Sequence, residues 1–213
     1  MARARFDNLE PDRQESILAV AADEFAANGY AAASLNRIIE TAGISKGSLY
    51  YYFDDKEDLF TSVVEVALHR LVGDMGGMDL DQLERSNYWE GVRTFGLKSL
   101  DLMRNDVWYV RLTMAFPRLR QEPEAVEAVK PALEWGRRLT TELLGRGREL
   151  GVVRKDLPLD LLVEVTMAAD DAGDRWMIEH LDDFPGEALR KLVEARIDLM
   201  RDMLDAENEG WER

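Results

Sequence analysis

The sequence predicts an all-helical protein. Apolar residues recur at three- and four-residue intervals along most of the chain, which is the period of a helix with one buried side. No segment shows a clear run of alternating apolar and polar residues, so the signals for strands are weak. Glycine and proline fall between many of the periodic segments, where they would end helices.

Composition limits the possible classes of function. The chain has 213 residues, 46% hydrophobic and 32% charged, which suits a globular protein with a sizeable core. Its net charge is −15, and residues 1–72 (7 Lys and Arg, 12 Asp and Glu) and 73–213 (20 and 30) are both acidic. A nucleic-acid site would therefore be a small local patch rather than a basic domain.

The residue types also indicate the compartment. The lack of cysteine excludes disulfides and thiolate metal sites and fits a cytoplasmic protein. No apolar run approaches the roughly 18 residues that a membrane helix needs, so we expect neither a signal peptide nor a membrane partner. Nothing in the sequence implies a metal or a cofactor.

In the first third of the chain, helices are predicted over residues 11–28, 35–42, 46–52 and about 55–72. Gly29 would end the first helix in a left-handed conformation, and Gly43 would stop the second. Ser34, Ser45 and Asp55 stand where a capping side chain accepts a backbone N–H group from the first helical turn.

The glycine-rich segment "GDMGGMD", residues 73–79, predicts a domain boundary. Beyond it, helices are predicted over residues 86–104, 105–119, 122–150, 158–182 and 186–207. Pro131 falls inside the third of these, so that helix would be kinked or split. The predicted division is a flexible arm (1–10), a first domain (11–72), a second domain (73–207) and a frayed tail (208–213).

Two short helices joined by "AGIS", residues 42–45, are typical of a helix-turn-helix. In that motif the second helix lies in the major groove of DNA with its first residues nearest the bases. Gly47 stands at the second position of this helix, although glycine costs roughly 1 kcal/mol relative to alanine in a helix interior. Close approach of the backbone to a phosphate would explain a glycine there.

Three segments follow one another along the first third of the chain: "ILAVAADEFAANGY" in the first helix, then "AGISKGSLYYYF", then "DKEDL". Together, over residues 17–59, they resemble the DNA-binding domain of TetR-family transcriptional regulators, and the helix-turn-helix domain would span about residues 11–60. The resemblance implies a homodimeric repressor that binds a palindromic double-stranded DNA operator. A small, largely hydrophobic effector, with a cationic one as an option, would release it. Arg3 and Arg5 would reach a groove as part of the arm.

The resemblance also implies which residues touch DNA. These candidates are Ser34, Asn36, Arg37, Ser45, Lys46, Gly47, Ser48, Tyr50, Tyr51, Tyr52 and Lys56. Tyr51 stands where the family varies most within this motif, so it would help to set the operator sequence. Leu49 and Phe53 lie four residues apart on one helix face and are expected in the core. As alternatives, Lys46 would be an ordinary solvated lysine, and Lys56 would pair with a nearby carboxylate.

The helix predicted over residues 158–182 carries Asp170 and Asp174 inside an apolar stripe. A buried carboxylate needs a partner, which would be a basic residue of another helix, solvent or a cationic ligand. An exposed or dimer-edge position is the alternative. Aromatic residues and methionine suit an adaptable apolar pocket. The candidate ligand-binding residues are Phe95, Met103, Trp108, Tyr109, Met114, Phe116, Trp135, Met167, Asp170, Asp174 and Met177.

The adjacent face of the same helix carries alanines that would let another helix approach closely. Together with the last helix, this face suits a symmetric four-helix dimer interface. The candidate interface residues are Leu162, Val165, Ala169, Ala172, Trp176, Leu189, Val193, Met200 and Leu204.

Two other classes of function remain open at this point. A helical adaptor that keeps the fold but has lost DNA binding would suit the acidic charge. An enzyme would need a catalytic group, and Asp170 with Asp174 is the one acid–base pair that we considered. The sequence has two histidines, no cysteine, no phosphate-binding glycine motif and no hydrolase motif, so we expect no enzyme.

Overall fold

The computed structural model describes residues 4–208, so the first three residues of the predicted arm, with Arg3, and most of the predicted tail lie outside the described part. The all-α class is confirmed. The helices of the first half are α1 (Ala4–Asp7), α2 (Pro11–Ala32), α3 (Leu35–Thr41), α4 (Lys46–Tyr52), α5 (Lys56–Met75) and α6 (Tyr88–Met103). Those of the second half are α7 (Trp108–Met114), α8 (Phe116–Leu119), α9 (Val126–Glu149), α10 (Leu159–Glu179) and α11 (Glu187–Leu204).

The chain divides into two compact units. Unit 1 comprises Met1–Asp74 and Asn105–Ala132, and unit 2 comprises Met75–Arg104 and Leu133–Arg213. This differs from the sequence prediction, in which residues 73–207 form one continuous domain. The segment 105–132 packs with the N-terminal helices because its own apolar residues, among them Trp108 and Leu112, lie in the core of unit 1.

Unit 1 is built around a cluster of buried aromatic rings. Phe25 on α2 and Phe60 on α5 pack edge to face, with ring centroids 4.7 Å apart. Phe6 on α1 packs on Phe53, with centroids 4.9 Å apart, and is itself buried. The prediction of a flexible arm over residues 1–10 is therefore wrong for α1, which Phe6 anchors to the core.

Helix α2 changes direction at Gly29. The residue has φ 75° and ψ 176°, and the helix resumes after it as far as Ala32. The positive φ of Gly29 and the interruption of the helix there agree with the sequence prediction, but the short helical segment after Gly29 was not predicted. A Cβ at this position would overlap the carboxylate of Glu122, which would have to move aside, and the positive φ by itself favours glycine.

The predicted helix caps are confirmed. The side chains of Ser34 and Ser45 accept backbone N–H groups from the first turns of α3 and α4. Asp55 accepts the N–H group of Asp58 at 2.8 Å at the start of α5. These caps satisfy backbone N–H groups at the beginnings of three consecutive helices.

Two predicted helices differ in detail. The helix predicted over 105–119 is two helices, α7 and α8, which meet at Ala115 beside Pro117. Helix α9 runs unbroken through Pro131, whose ring lies on an exposed face.

In unit 2, one buried cluster includes Tyr88 and Val153, and a second includes Leu100. Within residues 4–208, no helix combines the length and apolar character needed to cross a membrane.

Candidate nucleic-acid interface

Helices α3 and α4 and the turn between them form a helix-turn-helix in unit 1. Gly43 occupies the turn with φ 60°, a conformation that favours glycine. The guanidinium of Arg13 on α2 donates to the Gly43 carbonyl at 2.8 Å, which ties the turn to the preceding helix. The side chain of Ser45 accepts the Ser48 N–H at 2.9 Å, and the two hydroxyls hydrogen-bond at 2.8 Å.

The aromatic row of α4 divides between two environments. Leu49 and Phe53 are each 1% exposed and belong to the core of unit 1, as predicted. Tyr50 and Tyr51 are 42% and 50% exposed. Tyr52 is half-buried against Phe6, with ring centroids 5.8 Å apart. Successive residues turn by about 100° around a helix, so the row supplies both a core anchor and an outward aromatic face.

Cations lie over the two exposed tyrosine rings. The Lys46 ammonium is 6.0 Å from the Tyr50 centroid, and the Arg5 guanidinium is 4.4 Å from the Tyr51 centroid. Contacts of this kind hold a positive charge beside an aromatic face. Positive charge therefore lies at the outward face of α4 although the chain as a whole is acidic. A nucleic-acid site in an acidic chain would have to be a small local patch of this kind.

Gly47 has open space around it. Apart from its own helix backbone and chain neighbours, the closest described atom to an added Cβ is Oγ of Ser45, at an ordinary contact distance of 3.7 Å. The residue is exposed and its φ lies outside the left-handed region. No contact within the described part of the chain therefore requires glycine at this position.

At the start of α3, Arg37 is held by Glu24 of α2. The guanidinium Nε donates to the two carboxylate oxygens at 3.0 and 3.1 Å. Glu24 also accepts the Ser34 N–H at 2.8 Å. The hydrogen bond from Arg37 lowers the pKa of Glu24 and raises that of Arg37. Arg37 remains more than half exposed, and the neighbouring Asn36 is exposed as well.

Within residues 4–208, Lys56 at the start of α5 forms no ion pair with a carboxylate. Its ammonium donates to the Ala31 carbonyl at 3.0 Å and lies 4.9 Å from the Tyr30 ring centroid. The pKa of Tyr30 is raised by burial and then by the negative charges of Glu57 and Asp55. The head of Lys56 is thus placed by the end of α2 rather than by an ion pair.

The structure brings the predicted DNA contacts together on three adjacent helix segments. The exposed ones are Asn36, Arg37, Ser45, Lys46, Gly47, Tyr50 and Tyr51. The half-buried ones are Ser34, Ser48, Tyr52 and Lys56. Sequence reasoning missed Glu24 and the anchoring of the arm by Phe6, because both depend on contacts between helices that no local pattern reports.

The predicted ligand-binding residues are divided between the two units. Trp108, Tyr109, Met114 and Phe116 belong to unit 1, and the others belong to unit 2. Trp108 is buried and donates its indole N–H to Glu15 at 2.6 Å, so it is a core residue. Tyr109 donates to Asp74, and this hydrogen bond raises the pKa of Tyr109. Met177 is likewise buried in a core cluster of unit 2.

Asp170 and Asp174 share one partner from α11. The Arg196 guanidinium donates to a carboxylate oxygen of each, at 2.7 Å in both cases. Burial raises the pKa of Asp174, and Arg196 opposes that shift. A Cβ on Gly173 would meet the guanidinium at 2.8 Å, so the missing side chain makes room for it. The partner is thus a basic residue of another helix, the first of the alternatives that the sequence left open.

Unit 2 also contains an open cavity of about 470 Å³ between the segment that follows α5 and helix α6. Its apolar lining includes Met75, Met78 and Phe95, and its polar lining includes Asn87 and Lys98. Phe95 is the only predicted ligand residue among the described residues that line it.

The predicted dimer residues fall into two groups. Leu162, Leu189, Val193 and Leu204 are buried in the cores of unit 2, so the structure corrects their assignment to a partner surface. Val165, Ala172 and Trp176 on α10 are exposed, whereas Ala169 and Met200 are half-buried. Two exposed leucines that the sequence did not select, Leu161 and Leu199, extend the apolar surface of these two helices.

The capped two-helix motif, with its outward aromatic and basic face, defines a helix-turn-helix DNA-binding protein. Residues 17–63 match the family model "Bacterial regulatory proteins, tetR family". The transcriptional repressor AcnR of Corynebacterium diphtheriae is 29% identical over 159 residues, which cover 70% of this chain and 73% of AcnR. Residues 17–63 are thus a DNA-binding domain of the TetR family of bacterial regulatory proteins.

Solved structures support the fold of the whole chain. A TetR-family regulator from Chloroflexus aurantiacus J-10-fl is 22% identical, with a TM-score of 0.70 over 96% of this chain and 99% of that one. FadR from Bacillus subtilis, solved in complex with stearoyl-CoA, is 19% identical, with a TM-score of 0.69 over 87% and 96%. Membership of a family of transcriptional regulators confirms the prediction that the chain is not an enzyme.

Proposed function

We propose that this chain is a homodimeric repressor that binds a palindromic DNA operator. Binding of a small hydrophobic molecule would release the repressor from the operator. The observation that carries the proposal is the outward face of α4, where Tyr50 and Tyr51 are exposed beside Lys46. Tyrosine hydroxyls and an ammonium donate to phosphates, while the first turn of the helix reaches base edges. An acidic cytoplasmic protein would bind DNA through such a patch with a strong dependence on salt.

The dimer would form through exposed apolar residues of α10 and α11. Leu161, Val165 and Trp176 recur along α10 at four- and eleven-residue intervals, which keeps them on one face, and Leu199 of α11 is 69% exposed. A two-fold interface uses the same patch on both copies. Two reading helices related by that axis would match a palindromic site whose half-sites lie about 34–36 Å apart, or a multiple of this spacing.

The proposed effector site is the 470 Å³ cavity of unit 2, a volume that suits a small molecule. Its methionines and Phe95 favour an apolar body, and Lys98 would pair with an anionic end that keeps clear of Glu90 in the same lining. FadR of Bacillus subtilis binds stearoyl-CoA, which is an apolar chain with an anionic head. A cationic effector has less support, because Arg196 already partners both Asp170 and Asp174.

Selection of bound fragments from genomic DNA by the full-length protein tests this function. We expect enrichment of one inverted-repeat sequence, and its loss when fatty acyl or other lipophilic anions are added. Equal recovery of all fragments would leave the helical adaptor as the better reading. Enrichment that no lipophilic compound reverses would keep the DNA-binding proposal and remove the effector proposal.

A further inference from the structure

Two residues at and after α8 hold both sides of the bend in α2. Arg118 donates to the Ala26 carbonyl and lies 3.5 Å from the carbonyl oxygens of Phe25 and Ala27. Glu122 accepts the Ala31 N–H at 2.8 Å. In an uninterrupted helix the Ala31 N–H would donate to the Ala27 carbonyl. Arg118 and Glu122 thus contact the backbone groups that flank the bend at Gly29.

The charges of Arg118 and Glu122 suit the backbone groups of α2 that they contact. The carbonyl end of a helix carries partial negative charge and favours a cation, whereas free N–H groups favour an anion. The guanidinium of Arg118 faces carbonyls, and the carboxylate of Glu122 faces an N–H group. Because Gly29 has no side chain, the Glu122 carboxylate can lie against the backbone there.

The same residue of α2 is bound from the other side by a candidate DNA contact. Ala31 donates its N–H to Glu122, while its carbonyl accepts from the Lys56 ammonium at 3.0 Å. The Tyr30 ring lies 4.9 Å from that ammonium. The position of the Lys56 head therefore depends on where the backbone at Ala31 is held, and Glu122 holds it.

We propose that Glu122 is a positioning residue for DNA binding, which fixes the Lys56 ammonium through the backbone of Ala31. This inference rests on the proposed operator binding and on a phosphate contact by Lys56. Glu122 belongs to the segment 105–132, which follows α6 in the chain and packs in unit 1. A shift of this segment would change DNA affinity without altering any residue of α4.

The direction in which one substitution changes operator affinity separates a positioning role from a purely electrostatic one. Replacing a glutamate near DNA with alanine removes negative charge, which by itself strengthens binding. Positioning predicts the opposite, so Glu122→Ala should weaken operator binding, whereas Glu124→Ala, which removes the charge of an exposed neighbour, should leave affinity equal or higher. Glu122→Gln keeps an oxygen that can accept the Ala31 N–H and should therefore retain binding.

A double-mutant cycle on the full-length protein completes the test, with the selected operator fragment as the probe. We expect Lys56→Ala to weaken binding about tenfold, the size of a hydrogen bond to a charged group. Adding Glu122→Ala to Lys56→Ala should cost nothing further. Independent, additive losses would overturn the inference, as would full affinity of Glu122→Ala.

Two further outcomes keep the inference separate from the proposed function. Failure of the unmodified protein to bind any fragment would refute operator binding itself. Loss of binding on Lys46→Ala with none on Lys56→Ala would keep operator binding and overturn the role of Glu122. If thermal melting shows Glu122→Ala unfolded at the assay temperature, Glu122→Asp, which shortens the side chain and withdraws the acceptor, provides the same comparison.

Discussion

The guanidinium of Arg5 lies 4.4 Å from the centroid of the Tyr51 ring, so a residue of the N-terminal arm covers an exposed aromatic ring of α4. Phe6, the next residue, is buried beside Phe53 and fixes this arrangement. The arm and α4 therefore present one surface. Arg5 brings a positive charge to a tyrosine that is half exposed on α4.

Tyr51 should set the operator sequence more than the overall affinity. We expect Tyr51→Ala to change the ranking of operator variants, because a base contact discriminates by about 1–3 kcal/mol while a phosphate contact does not discriminate. Competition binding against a panel of single-base operator variants measures this ranking. Tyr51→Phe keeps the ring under Arg5 and isolates the hydroxyl. Equal loss across every variant would assign Tyr51 to the phosphate backbone.

Lys46 should contribute affinity that does not depend on sequence. We expect Lys46→Ala to weaken binding to all operator variants alike and to lower the slope of log affinity against log salt by about one unit. Lys130→Ala on α9 removes the same charge from a lysine that pairs with Glu127, and it should leave the slope unchanged. A Lys46→Ala protein with an unaltered slope would show that the ammonium meets no phosphate.

Gly47→Ala should separate folding from binding. Alanine fits at this position and has the higher helix propensity, so we expect the free energy of unfolding to stay equal or rise, by at most about 1 kcal/mol. DNA affinity should nevertheless fall, because the added methyl group would occupy the space through which the backbone approaches a phosphate. Chemical denaturation and operator titration give the two values. A protein that gains stability and binds DNA normally would remove Gly47 from the interface.

The Glu24–Arg37 pair should make stability depend on pH. Arg37 lowers the pKa of Glu24 below its ordinary value of 4.5. A carboxyl with a depressed folded-state pKa stabilises the fold fully above its unfolded-state pKa, and that contribution is lost as pH falls through the folded-state value. We therefore expect the coupling free energy between Glu24→Gln and Arg37→Gln to be largest near neutral pH and to vanish in acid. A coupling that does not decrease as the pH falls below the ordinary glutamate pKa would contradict this assignment.

Leu199→Glu should weaken the dimer. A leucine that is 69% exposed in the free chain would lie at the proposed interface, where a buried carboxylate without a partner is costly. Analytical ultracentrifugation should then show monomers at concentrations at which the unmodified chain is dimeric. Val126→Glu introduces the same change at an exposed apolar residue of α9 and should leave the dimer intact. Dimers that persist in Leu199→Glu would place the interface elsewhere.

The sequence was most informative where structure is set locally. The alternating environments of α4 follow from the helical repeat, and the roles of Ser34 and Ser45 follow from the preference of serine for helix N-termini. The short helix α1 was missed because four residues carry no periodic signal. Its order comes from the packing of Phe6 on residues about fifty positions away in the chain.

The contacts between α10 and α11 were not predictable in the same way. Helical spacing correctly grouped Asp170 with Asp174, but it gave no register between two separate helices. Arg196 was therefore one of several possible partners until the packing around Gly173 was known. The same lack of register explains why four core residues of unit 2 were assigned to the dimer surface.

The reading helix α4 has only seven residues, whereas isolated helices shorter than about 12–15 residues are marginal in water. Its order thus depends on the burial of Leu49 and Phe53 and on one serine cap. Because Leu49 and Phe53 belong to the core of unit 1, a substitution that destabilises this core would also disorder α4. Such a variant would lose operator binding although every predicted DNA contact is unchanged.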